Sequence, residues 1–152
     1  MRPRLCALAW LLLASPLGWC AAELPLAHFQ RVEVAPTWTS IYIGTVSLKV
    51  PGLTRNSKGD FEAPYAARVL PYLFYNEKGR ITIHATDALL RTLERGEPIE
   101  FTGRAVNESG EERRVTGKAT PSGPLEGKIK VRVAVSPRIE LIFNTTYRFA
   151  PP

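Results

Sequence analysis

The chain has 152 residues, 45% of them hydrophobic and 22% charged, with a formal net charge of +6. It is mildly basic and free of like-charge blocks, acidic tails and low-complexity tracts, which excludes a disordered or histone-like chain. Its length suits a single domain around one hydrophobic core.

Arg2 and Arg4 precede an apolar run from Leu5 to Leu13, and Cys20-Ala21-Ala22 closes the segment. This is the layout of a cleavable secretory signal peptide over residues 1–22, cut before Glu23. The apolar run is about ten residues, roughly half of what a spanning helix needs. Acylation at Cys20 is an alternative, although Trp19 stands where a lipobox wants a small side chain. Cleavage removes both cysteines, two of the three tryptophans (Trp10 and Trp19) and the one methionine. Losing Arg2 and Arg4 from the 20 basic residues leaves 18 against 14 acidic ones, or +4. With no cysteine to staple it, the exported domain must rely on ordinary core packing. The expected location is periplasmic or secreted, with outer-membrane association open, and no transmembrane helix remains after cleavage.

Residues 23–37 have weak periodicity and read as a loose N-terminal segment; residues 38–149 read as one β domain and 150–152 as a tail. Trp38 to Val50 is dense in β-branched and aromatic residues and predicts a strand, with Gly44 as a bend or bulge. Pro51-Gly52 stops it, and Thr54 to Asp60 has the polar chemistry of an exposed loop. Arg68 to Tyr75 is an apolar run followed by Arg80 to His84, which predicts a hairpin turning at Lys78-Gly79, with Pro71 at an edge or bulge. Thr86 to Gly96 predicts the one helix: Thr86 or Asp87 caps it, Leu89, Leu90 and Leu93 form its stripe, and Gly96 stops it.

The C-terminal third alternates most regularly. Ile99 to Val106 turns at Asn107-Glu108-Ser109-Gly110 and returns through Arg113 to Thr120. A Gly/Pro/Ser loop then leads to Lys128 to Val135, and Ser136-Pro137 turns the chain into Arg138 to Phe149. These four strands predict an antiparallel meander with one apolar and one polar face. Strand, hairpin, helix, hairpin resembles the element order of an OB-fold barrel, and Arg95-Gly96-Glu97-Pro98-Ile99-Glu100-Phe101-Thr102-Gly103 looks like the start of a strand in exported bacterial OB-fold proteins. The last hairpin has no place in a five-stranded barrel. The fold class expected is therefore mainly β, an antiparallel barrel with OB-like element order or a sandwich, with one short helix and an extra C-terminal hairpin.

Little in the sequence sets out reaction chemistry. His28 and His84 are the only histidines, and Asp60 and Asp87 the only aspartates. A metal site would have to recruit scattered carboxylates, no nucleophile elbow surrounds any serine, and no phosphate-binding glycine loop is present. The expectation is no metal and no cofactor. Asp87 reads as a helix cap or first-turn charge, and Glu108, Glu111 and Glu112 as a solvated hairpin tip.

The sharpest surface feature is the polar face of the meander. Simple alternation places Arg104, Arg114, Lys118, Lys128, Lys130 and Arg132 on it, with Glu100. Such a stripe could bind a polyanion, an anionic lipid or polysaccharide, or an envelope protein. It could equally be solvated strand positions that prevent edge-to-edge aggregation. Nucleic acid is disfavoured because the face lacks interleaved aromatics. Tyr65, Tyr72, Phe74 and Tyr75 form the densest aromatic group, either core or a surface shelf for carbohydrate or peptide. The terminal strand ending at Phe149 also resembles that of outer-membrane β-barrels. Asn107-Glu108-Ser109 and Asn144-Thr145-Thr146 match glycosylation acceptors, of consequence only in a eukaryotic secretory pathway. The functional expectation is an exported, non-enzymatic binding or envelope-associated β module. The alternatives are a small outer-membrane β-barrel and a hydrolase whose site the sequence does not reveal.

Overall fold

Residues 24–151 are described by a computed structural model; the signal-peptide reading of residues 1–22 lies outside them. A 3-10 turn (Leu26–His28) leads into β1 (Arg31–Val34), β2 (Thr37–Ile41), β3 (Gly44–Lys49), β4 (Leu53–Arg55) and β5 (Phe61–Leu70). A second 3-10 turn (Leu73–Tyr75) precedes β6 (Glu77–His84), the helix α1 (Asp87–Glu94), β7 (Ile99–Asn107), β8 (Glu112–Pro121), β9 (Glu126–Ser136) and β10 (Ile139–Ala150). All pairings are antiparallel. β1 pairs with β10 and β4, β4 with β5, and β5 to β10 each with the next, closing an eight-stranded barrel. The hairpin β2–β3 extends the wall at one end, where β3 pairs with the second half of β5 and the Thr37 hydroxyl donates to the Asn144 carbonyl at 2.9 Å.

This is a mainly β barrel with one helix, and its strands run as a meander rather than in the five-stranded OB arrangement. The extra C-terminal hairpin, β9–β10, supplies two wall strands and lets β10 reach β1. Strand alternation sends Ile99, Phe101, Val115, Phe143, Tyr147 and Phe149 inward to the core, and their neighbours outward. Gly117 is an inward position that must lack a side chain: a Cβ there would sit 2.2 Å from the Phe101 ring.

The helix closes the end of the barrel where β6 stops. Thr86 caps it by accepting from the Leu89 amide, Gly96 leaves it at φ +79°, and Leu90 and Leu93 are its buried residues. So short a helix owes its stability to that docking. Leu26 and Phe29 close the same end, Phe29 lying edge-on to Phe149 with ring centroids 5.8 Å apart.

Three local expectations are corrected. Residues 23–37 are not wholly loose: Leu26, Phe29 and Val32 are buried, and β1 is a wall strand. Trp38 to Val50 is a hairpin turning at Tyr42-Ile43, not one strand. No non-glycine residue here has a positive φ, so the turn carries no Gly or Asn marker, and Gly44 serves close approach, since a Cβ there would lie 2.0 Å from the Leu70 carbonyl oxygen. Lys78-Gly79 lies within β6; the chain reverses over Pro71 to Asn76 instead, with the Asn76 side chain accepting from the Val69 amide at 2.8 Å.

Candidate functional site

The outer faces of β7, β8 and β9 carry the six cations read from the sequence: Arg104, Arg114, Lys118, Lys128, Lys130 and Arg132 are all exposed. Register brings them together. Arg104 stands directly opposite Arg114, and Lys118 directly opposite Lys130. Opposed residues have Cβ atoms about 5 Å apart, and like charges in that position destabilise a sheet by up to about 1 kcal/mol. Glu100 stands opposite Lys118, and Arg132 pairs with Glu140 on β10 at 3.4 Å. Among the described residues the other five cations make no ion pair.

Several polar groups elsewhere are paired with one another. At the barrel mouth opposite α1, Arg113 points inward with its side chain 19% exposed, donating to Glu77 at 3.1 Å, Glu111 at 2.8 Å and the Val135 carbonyl at 2.9 Å. Glu77 also accepts from the Tyr65 hydroxyl and from Asn107. Burial alone would raise Glu77, but these hydrogen bonds and the Arg113 charge bring its carboxyl below the ordinary range. Burial and the same carboxylate push the Tyr65 phenol upward. The cluster is a polar plug.

Asp87 lies in the first turn of α1 and is bound by Arg55, which holds its carboxyl below the ordinary range. His84 meets Asp60 at 2.9 Å. Neither residue of that pair lines the apolar cavity inside the barrel or the polar groove beside Glu126. Among the described residues no three His, Cys, Asp or Glu side chains gather as metal ligands.

The chain matches no family model, and comparison with the curated proteins and with the solved structures finds no similar chain. Its surfaces and cavities must be read by their own chemistry.

Inside the barrel is a cavity of about 100 Å³, lined almost wholly by apolar side chains from Val32 to Phe149. Sites for organic ligands usually span roughly 300–1,000 Å³, so this is a packing void rather than a ready binding chamber. Tyr147 lines it, and burial pushes that phenol up to about 12. A polar groove of about 470 Å³ lies by Glu33, Glu126 and Arg148. Glu126 holds Arg148 at 2.8 Å, raising the pKa of the guanidinium. Among the described residues no helix is long and apolar enough to cross a membrane.

The aromatic group singled out in the sequence is divided. Tyr65 is buried in the wall, whereas Tyr72, Phe74 and Tyr75 stand outside, joined by Tyr42, Ile43, Leu70 and Leu73 from the same end of the barrel. The unalternated run Leu70 to Tyr75 was the available signal, because six such residues cannot all point inward from a strand.

Proposed function

We propose that this chain is an exported, non-enzymatic binding module of the cell envelope, whose β7–β9 wall holds a polyanion of the envelope, an acidic polysaccharide in the first instance. The observation that carries the reading is the pair of opposed like charges, Arg104 with Arg114 and Lys118 with Lys130. An array of repelling cations is an unfavourable surface that a partner bearing closely spaced anions relieves. Protection of a sheet edge does not account for it, since β7, β8 and β9 each have a hydrogen-bonded neighbour on both sides. The wall lacks aromatic side chains between its cations, which weighs against nucleic acid. Export rests on the signal-peptide layout of residues 1–22.

A membrane-spanning barrel is the weaker reading. Its outer wall would need an apolar lipid-facing band, and here Phe101, Val115 and Phe143 are buried in the core while the cations face out.

The test is retention of the exported protein on immobilised heparin, used as a model acidic polysaccharide, with elution by salt. The wild-type chain is expected to bind and elute only as ionic strength rises, and Lys130→Glu/Arg132→Glu to pass through while still unfolding cooperatively on heating. Equal retention of this variant overturns the proposal.

A further inference from the structure

The barrel end opposite α1 gathers most of the large exposed apolar side chains of the described residues, and it lies apart from the basic wall. Two loops form it: the β2–β3 turn with Tyr42 and Ile43, and the β5–β6 link with Leu70, Leu73, Phe74 and Tyr75. Tyr42 is fully exposed and Phe74 75% exposed. The rings are held together, with Phe74 4.4 Å from Tyr75 and 5.8 Å from Tyr72 between centroids. Gly44 seats one loop against the other, its Cα so close to the Leu70 carbonyl that no Cβ fits between them. Exposed apolar clusters of this kind mark interaction sites.

What lies behind the loops identifies the partner. Register places Trp38, Ser47 and Arg68 side by side on the outer face of β2, β3 and β5. One level further back come Lys49, Ala66 and Lys78 on β3, β5 and β6. Trp38 is 68% exposed, and Arg68, Lys49 and Lys78 are exposed as well. Residues 34–59 and 63–76 contain no aspartate or glutamate. Moving back from the tips, the surface is therefore apolar, then tryptophan with arginine, then lysine. At about 3.3 Å per residue, Trp38 sits roughly 13 Å behind Tyr42. Interfacial segments bury their apolar faces about 5–10 Å deep, so tips at that depth leave Trp38 and Arg68 among the headgroups, where tryptophan and basic side chains are favoured.

We infer that this end of the barrel docks into the interfacial layer of a lipid bilayer, its loop tips among the acyl chains and its Trp38, Arg68, Lys49 and Lys78 girdle at anionic headgroups. A second copy of the chain fits less well, because a two-fold contact sets the same patch against itself and would face these cations with one another. The acidic tip of the β7–β8 hairpin, Glu108, Glu111 and Glu112, starts beside Lys78, whose carbonyl accepts from the Glu108 amide at 3.0 Å, so docking tilts the barrel toward β2, β3 and β5 and away from that tip. That attitude leaves the β7–β9 wall turned away from the bilayer, free for a separate polyanion.

Trp38 is the natural probe. The chain is expressed in full in a Gram-negative host and its product taken as the cell processes it, with Trp10→Phe and Trp19→Phe leaving one tryptophan. It is titrated with vesicles of phosphatidylcholine, with and without phosphatidylglycerol, while emission and co-flotation are read. Docking predicts a blue shift of Trp38 with both vesicles, stronger with the anionic lipid. Ile43→Ser and Phe74→Ser, at exposed positions that leave the circular dichroism unchanged, should each weaken binding roughly tenfold. Arg68→Glu/Lys78→Glu should remove the gain from phosphatidylglycerol. Lys130→Glu/Arg132→Glu should leave the shift on phosphatidylcholine as it was, which separates this inference from the reading of the wall. No shift with either vesicle, or undiminished binding by Ile43→Ser and Phe74→Ser, overturns it. So does a shift that depends on protein concentration without lipid, which would make the end a contact between copies.

Discussion

Lys130→Glu should stabilise the barrel at low salt while abolishing its hold on polyanions. Lys130 stands directly opposite Lys118, with uncharged Asn144 on its other side. Two unit charges about 5 Å apart at a solvated surface repel by roughly 0.8 kcal/mol, and the reversal turns that repulsion into a comparable attraction. Side-chain entropy and solvation absorb part of the swing, so a net gain of about 0.5–1 kcal/mol is expected. For a domain of this size that is a rise of about 2–5 °C in melting temperature. The assay is thermal unfolding at low and high ionic strength, with Lys118→Glu and the double variant completing a cycle. The gain should shrink as salt screens the pair, and the double variant, with two opposed glutamates, should lose it. A Lys130→Glu chain that is destabilised at low salt, or whose stability is the same at both ionic strengths, refutes the claim that the wall is held in repulsion.

Other outcomes follow from the core and the mouth. Gly117→Ala forces a methyl group into the Phe101 ring and should cost about 1–3 kcal/mol in denaturant unfolding. Leu90→Ala, at a side chain only 2% exposed, should cost about 3–5 kcal/mol, because the cavity it would enlarge is already there. Glu77→Gln deprives Arg113 of the more buried of its two charged partners and should cost about 1–3 kcal/mol at neutral pH. The pKa of Glu77 is depressed in the folded state. Its contribution is thus complete above the ordinary carboxylate range and lost as pH falls through its lower folded value. The variant's stability should therefore fall less steeply than the wild type's on acidification below about pH 4, as urea unfolding across that range would show.

The sequence made parts of this molecule readable because local and global preferences agree there. Thr86, the Leu89, Leu90 and Leu93 stripe and Gly96 specify α1 almost to the residue, and the alternation from Ile99 to Phe149 gives four strands with their inward and outward faces. The six cations of the wall followed from that parity. What alternation cannot supply is register: nothing in the separate strands says that Lys118 meets Lys130 rather than Glu100 alone. The β2–β3 turn escaped because Tyr42 and Ile43 adopt it without a left-handed residue. Gly79 misled because its missing side chain answers to the Val106 carbonyl, 2.1 Å from where a Cβ would stand, and not to a turn. The apolar end was hidden because hydrophobic side chains ordinarily report a core. Only closure of the barrel shows that Leu70 to Tyr75 lie beyond its rim.

That closure also sets an order of events. Arg31 in β1 pairs with Ala150 in β10, so the first wall strand to leave the ribosome waits for the last. β5 to β9 can zip together as successive neighbours, by short loops and, between β6 and β7, by the segment that holds α1, but the seam between β1 and β10 joins residues far apart in sequence and must form late. Until β10 is in place, β1 and β9 each present an unpaired edge. A chain truncated before β10 would keep both edges permanently, and its fate would be association with other chains rather than a smaller barrel.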